Sequence, residues 1–344
     1  MQRLHKRYES YYGCPPAKVL PMTGSASNRR YCRLTSDAGT CVGVVGTDYN
    51  ENKAFISLAR HFRSKGISVP QVLAVGEDGM VYIQEDLGHD LLLSMLDRAR
   101  KKGEDTAEIE NMLCRTMSML PEIQFEGAKG LDFSVCYPQP SFDRKMVMFD
   151  LNYFKYCFLK PSGLEFNEVR LQEDFERFAD DLLRYDTDTF LYRDFNARNV
   201  MIYGDTPYFI DFQGGRRGPI YYDVASFVWH ARSGFSLESR ERMLDAYLES
   251  LSAYMSVGRY EFMEELKLFV LFRNLQVLGA YGFRGWAEHK ANFVVSIPGA
   301  IKALKELLSG NSCGDFSLAR DRYPYLIETL ECMTRLARFE DERL

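Results

Sequence analysis

The chain lacks the marks of several large protein classes. No run is long and apolar enough to span a bilayer, and the N-terminus, Met1-Gln-Arg-Leu-His-Lys-Arg-Tyr-Glu, is basic without the apolar stretch of a secretory signal. The eight cysteines, at 14, 32, 41, 114, 136, 157, 313 and 332, form no C-x-x-C pair, which speaks against a disulfide framework. They are expected to be reduced, mostly buried apolar side chains of a cytoplasmic protein. Five dispersed histidines give no zinc-site spacing. Positive charge is not in surplus: 43 Lys and Arg against 48 Asp and Glu leave a net charge of -5, which excludes the basic surface of a general nucleic-acid binder. Internal repeats and low-complexity linkers are also missing.

What is there is an ordinary globular composition. With 344 residues, 46% hydrophobic, 26% charged and 14% aromatic, the chain can bury one large domain or two lobes. Residues 1–13 read as a short helix stopped by Gly13 and Pro15-Pro16. Residues 19–22, 29–34 and 40–45 read as strands, the first two joined by the small, hydroxyl-rich loop 23–28. In such a loop few side chains obstruct the approach of backbone N–H groups to a phosphate. A mobile hairpin turn is the plainer reading. Residues 51–65 carry a helical stripe, strands are expected at 72–75 and 80–84, and from residue 91 onward the pattern is mainly helical. The expectation is an α+β chain with a small antiparallel β-rich lobe holding one helix, residues 1–88, and a large mainly helical lobe, residues 89–344.

Residues 191–215 interrupt the helices. Two apolar runs, 200–203 and 208–210, flank the turn-forming Gly204-Asp205-Thr206-Pro207, which predicts a β-hairpin. Asp194 and Asn199 precede it and Asp211 closes it, so the hairpin returns Asp211 to the neighbourhood of Asn199. Each residue alone has a bland reading: Asp194 as a capping residue, Asn199 as an Asx turn, Asp211 as a partner of Arg216 or Arg217. Together they match phosphoryl transfer, which needs an oxygen to orient the nucleophile and hard oxygen ligands for Mg²⁺ on the nucleotide phosphates. Asp194 is the candidate base, and Asn199 and Asp211 are the candidate metal ligands.

The segment Asp194 to Asn199 resembles the catalytic loop of the aminoglycoside phosphotransferase and choline kinase superfamily, which has a protein-kinase-like fold. Ile210-Asp211-Phe212 is similar to its metal-binding motif. Phe209-Ile-Asp-Phe-Gln213 with Gly218-Pro219 and Tyr222-Asp223 resembles the branch of N-acetylmuramate/N-acetylglucosamine anomeric kinases, with Asp223 in a structural position. The resemblance implies a bilobal kinase using ATP and Mg²⁺ on a small hydroxylated acceptor, here a sugar or amino sugar at its anomeric hydroxyl. Another small alcohol as acceptor, or a non-catalytic nucleotide-binding pseudokinase, are the alternatives.

In this frame Gly24, Ser25, Ser27 and Asn28 form the phosphate loop, Glu85 and Leu87 the adenine-binding hinge, and Asp194, Arg198 and Gln213 the acceptor side. Two departures stand out. Tyr192 replaces the His that usually opens the catalytic loop, and residues 40–45 carry no Lys for the α- and β-phosphates. Arg29, Arg30 or Lys53 can supply that charge, and Arg30 is expected to, because it closes the loop 24–28. Glu51 is explained by the macrodipole of the helix it opens. The glycine- and aromatic-rich segment 278–286 suits either a sugar-stacking wall or close helix packing, but no Gly-Lys-Ser/Thr makes it a phosphate loop.

Overall fold

The computed structural model describes residues 2–22, 29–104, 106–184 and 188–339. Two compact units divide the chain, one of residues 1–141 with 192–217 and the other of 142–191 with 218–344.

The first unit is built on an antiparallel sheet of order β1-β2-β3-β5-β4, comprising β1 (Lys18–Met22), β2 (Arg30–Ser36), β3 (Gly39–Val45), β4 (Val72–Val75) and β5 (Val81–Glu85). Alternation along the strands sorts side chains between its faces. Cys32, Leu34, Cys41, Val81 and Ile83 close a core against Leu4 and Tyr8, which stand one turn apart on helix α1 (Gln2–Tyr12). Side chains of the opposite parity, including Tyr31, Val42 and Tyr82, line a cavity on the other face. There α2 (Tyr49–Ser64) lays Phe55 on the Tyr82 ring, with centroids 5.3 Å apart. Helix α2 begins where the Asp48 side chain accepts from the N–H groups of Asn50 and Glu51, and it ends at Gly66, whose φ of +81° only glycine adopts freely.

Helices α3 (Leu92–Lys102) and α4 (Ala107–Phe125) belong to this unit, as does the hairpin of β6 (Val200–Tyr203) and β7 (Thr206–Phe209). The expected boundary at residue 88 falls inside this unit. The hairpin is tied to segments on both sides of that point: Phe209 N–H donates to the Ser68 carbonyl (2.8 Å) and Ile202 N–H to the Asp90 carbonyl (2.7 Å). The Arg115 guanidinium from α4 reaches the Asp205 carbonyl at 2.8 Å. The turn is tighter than the four residues expected. Gly204 and Asp205 both have positive φ, +54° and +59°, as a two-residue type I′ turn requires, and Thr206 and Pro207 already belong to β7.

The second unit is helical. It contains α5 (Arg144–Phe154), α6 (Glu168–Leu182), α7 (Tyr221–Val228), α8 (Leu237–Leu251), α9 (Arg259–Tyr281), α10 (Ala291–Val294), α11 (Ile297–Leu308), α12 (Ser317–Arg322) and α13 (Pro324–Thr334). The apolar stretch 266–272 sits at the centre of α9, with Leu266, Phe269, Val270, Leu271 and Phe272 all buried. The glycines beyond it serve packing. A Cβ on Gly282 would lie 2.1 Å from the Cys157 carbonyl oxygen and one on Gly279 would lie 2.9 Å from the Phe154 nitrogen, while Trp286 stacks on Phe158 at 4.8 Å. Asp223 is fully buried in the first turn of α7. Among the described residues no helix is long and apolar enough to cross a membrane. All eight cysteines are free.

Candidate active site

A cavity of about 230 Å³ lies in the first unit, and every residue that lines it belongs to that unit. Its apolar walls include Met22 and Val42 from the sheet side and Met201 and Ile210 from the hairpin side. The strand-to-helix crossing forms one edge through Glu85, Asp86, Leu87 and Gly88. This edge is held from below by Arg33 of β2, whose Nε and Nη2 donate to the two Asp86 carboxylate oxygens at 2.6 and 2.8 Å, and whose Nη2 also donates to the Gly88 carbonyl. The Glu85 carboxylate accepts from Gln71 N–H, so its side chain is engaged locally. Leu87 is buried, and among the described residues its backbone N–H and C=O have no hydrogen-bond partner. Those two groups are available to a ligand in the cavity.

At the other end the loop before β6 brings its polar residues together. The Asp194 carbonyl accepts from the amide nitrogens of both Asn196 and Asn199, each at 2.8 Å. Those two bonds fix the loop, and because Asn199 spends its N–H₂ inward, its amide oxygen is left as an acceptor. Ile210 N–H donates to the Asn199 carbonyl at 3.0 Å, which extends the hairpin pairing by one bond and sets Asp211 beside Asn199. Asn199 is buried and, with Asp211, lines the cavity.

Asp211 adopts φ +68° and Arg193 φ +76°, conformations that cost a non-glycine residue about 1–3 kcal/mol each. Phe212 supplies an anchor. Its ring is fully buried, stacks on Phe55 at 4.9 Å and meets Phe62 and Tyr192 edge-on at 5.4 and 6.2 Å. Tyr192 donates its hydroxyl to the Ile210 carbonyl, so it braces the same backbone from the other side.

Burial pushes the Asp211 carboxyl above the usual carboxylate range and the Asp194 carboxylate adds to this; the Gln213 amide and the Arg29 and Arg198 cations oppose it. Gln213 Nε2 donates to Asp211 Oδ1 at 2.7 Å, leaving Oδ2 for another partner. One carboxylate oxygen and one carboxamide oxygen suit Mg²⁺, which takes few protein ligands and completes its shell with phosphate and water oxygens. Among the described residues no cluster of three His, Cys, Asp or Glu forms an all-protein metal cage.

Several expected site residues take other places. Gly24, Ser25, Ser27 and Asn28 lie outside the described residues. Arg30 is exposed and does not line the cavity; its place there is taken by Arg29, which is only 4% exposed. Strand parity is the reason. Residues 29, 31 and 33 share the cavity face, whereas 30, 32 and 34 share the face of which Cys32 and Leu34 form core, so the alternation in Arg29-Arg30-Tyr31-Cys32-Arg33-Leu34 contained the answer. Glu51 does more than open a helix, since its carboxylate pairs with Arg29 Nη2 at 2.7 Å. Arg198, expected on the acceptor side, lines the same cavity, and Gln213 is engaged with Asp211.

Comparison with known proteins finds phosphotransferases. The model of the phosphotransferase enzyme family matches residues 143–265, a span that includes the whole loop and hairpin. An N-acetylmuramate/N-acetylglucosamine kinase of Pseudomonas aeruginosa is 22% identical over 298 residues, covering 84% of this chain and 83% of its own. The enzyme of the same name from Neisseria meningitidis serogroup B is 25% identical over 309 residues, covering 85% and 87%. Among solved structures, amicoumacin kinase in complex with AMP-PNP and Ca²⁺ aligns over 92% of this chain and 96% of its own with a TM-score of 0.64, at 10% identity, which speaks to the fold. The chain has the protein-kinase-like fold, is similar over residues 143–265 to the phosphotransferase enzyme family, and is an ATP-dependent phosphotransferase whose acceptor is a hydroxyl group.

Proposed function

We propose that the enzyme transfers the γ-phosphoryl group of ATP to the anomeric hydroxyl of an N-acetylated amino sugar. The observation that carries the reaction type is the convergence of Asp194, Asn199 and Asp211 on one loop and hairpin, with Asn199 and Asp211 at the wall of a cavity with a hinge-like edge. The acceptor class is supported by the two curated relatives, both named as kinases of N-acetylmuramate and N-acetylglucosamine.

Asp194 is the base that orients the acceptor hydroxyl and takes its proton as the bond to phosphorus forms. Among the described residues its carboxylate makes no hydrogen bond. Gly214 lies against it, where a Cβ would stand 3.6 Å from Oδ2, so a larger side chain there would crowd the space an acceptor needs. Asn199 Oδ1 and Asp211 Oδ2 are the oxygens that would hold Mg²⁺, which when bound neutralises charge on the phosphate oxygens. With no covalent intermediate on the protein, the chain contributes position and electrostatics.

The test is ATP consumption with N-acetylmuramate, N-acetylglucosamine, the 1-O-methyl glycoside of N-acetylglucosamine, choline and an aminoglycoside. Turnover is expected with the two free sugars and not with the methyl glycoside. Equal turnover of the glycoside would refute the anomeric assignment, and turnover of choline alone would refute the sugar. Asp194→Asn should lower kcat roughly 10²- to 10⁴-fold with nucleotide affinity nearly unchanged; a wild-type kcat would remove Asp194 as the base.

A further inference from the structure

Kinase-like enzymes commonly place a lysine on the third strand against the nucleotide phosphates, and β3 has none. Its cavity-side residue is Val42, while Cys41 belongs to the core on the opposite face. Two other cations reach the cavity. Arg29 enters from just before β2, with its side chain almost fully buried and ion-paired to Glu51 in the first turn of α2. Arg198 comes from the catalytic loop; it is half-buried, and among the described residues its guanidinium has neither a hydrogen bond nor an ion pair. Both line the cavity whose wall also includes Asn199 and Asp211.

We propose that Arg29, held by Glu51, and Arg198 form a two-arginine clamp on the ATP phosphates, replacing the missing strand lysine. The inference rests on the reading of this cavity as the nucleotide site. A guanidinium is planar and carries its charge over a fixed fork, so Arg29 can pair with Glu51 on one edge while its charge faces a phosphate in the cavity. A strand lysine presents one point charge instead. Glu51 is the positioning residue: it keeps a long side chain in one rotamer at a site where Tyr31 and Tyr82 also pack. Arg198 lies one residue before Asn199, so the clamp and the metal ligand share one short loop. The partner recognised is a polyphosphate, and the clamp adds nothing to binding of the base and ribose.

That division sets the experiment. Dissociation constants for adenosine, ADP and ATP are measured with Mg²⁺ by calorimetry on the wild type and on Arg29→Met, Glu51→Gln and Arg198→Met. The wild type should bind ATP more tightly than adenosine. Arg29→Met and Arg198→Met should each weaken ATP roughly 10- to 100-fold, the range of one charge-assisted contact, with adenosine affinity within about twofold of wild type. Glu51→Gln should lose a smaller part of the same preference. Arg29 is buried, so its variant can disturb folding; adenosine affinity reports this, and the half-exposed Arg198 then decides. A wild-type ratio of adenosine to ATP affinity in Arg198→Met and in a folded Arg29→Met overturns the clamp while leaving the kinase reading intact. A wild type that binds neither ligand overturns both.

Discussion

Phe212→Leu tests how the strained backbone of Asp211, the proposed metal ligand, is held. The Phe212 ring makes three aromatic contacts, stacked on Phe55 at 4.9 Å with 9° between planes and edge-on to Phe62 and Tyr192. Such pairs contribute about 0.5–1.5 kcal/mol each beyond burial, and leucine retains most of the apolar area. A loss near 2 kcal/mol is expected, about the same size as the roughly 1–3 kcal/mol that the left-handed backbone of Asp211 costs. If the anchor offsets the strain, its removal lets Asp211 relax out of reach of the metal, and Mg²⁺-dependent ATP affinity should fall about 10- to 30-fold, with adenosine affinity unchanged. Both tryptophans, Trp229 and Trp286, lie in the helical unit, so their emission does not follow the unit that carries the stack. Stability should be read by calorimetric unfolding or far-UV circular dichroism, and affinity by titration. A variant that unfolds more easily but binds MgATP like the wild type would refute the link between stack and strain. One with wild-type stability would refute the packing estimate.

Two further outcomes are expected. The Asp211 carboxyl titrates above its ordinary value in the folded protein, so its contribution to metal-free stability is present below the usual aspartate range and is lost as pH rises through the raised value. Asp211→Asn should therefore melt higher than the wild type at neutral pH without Mg²⁺, with the difference shrinking toward pH 4, while Mg²⁺-dependent ATP binding disappears; a difference independent of pH would contradict the assignment. Tyr192→Phe leaves the Ile210 carbonyl without its hydroxyl donor and should cost about 1–2 kcal/mol in urea unfolding followed by circular dichroism. Its kcat should stay within a few-fold of wild type, and a thousandfold loss would mean that Tyr192 takes part in the reaction.

Much of the site was readable because it is local. Asp194 and Asn199 lead into one hairpin and Asp211 leaves it, and a hairpin joined by Gly204-Asp205 can return only to its own start, so spacing along the chain became distance in space. The strands, α1, α2 and the buried α9 were likewise set by alternation or helical stripes that survive in their tertiary context. The turn was overestimated because Thr206 and Pro207 look like turn residues and yet pair as β7.

What the linear order could not decide depends on which face of an element meets which neighbour. Of Arg29, Arg30 and Lys53, only the sheet says which cation enters the cavity: one residue of parity turns a side chain to the opposite face, and β2 has its core face set by α1. The partner of that cation, Glu51, is on another element and had a sufficient local explanation in the helix dipole. Tyr192 replaces a histidine and still supports the Asp211 backbone, through a hydrogen bond between residues 18 apart in the chain. By itself, then, the sequence determined the hairpin, the reaction class and the closeness of Asn199 to Asp211, because that geometry is short-range. Tertiary structure alone decided which arginines line the cavity and how the strained Asp211 is held, because both depend on side chains that only packing brings together.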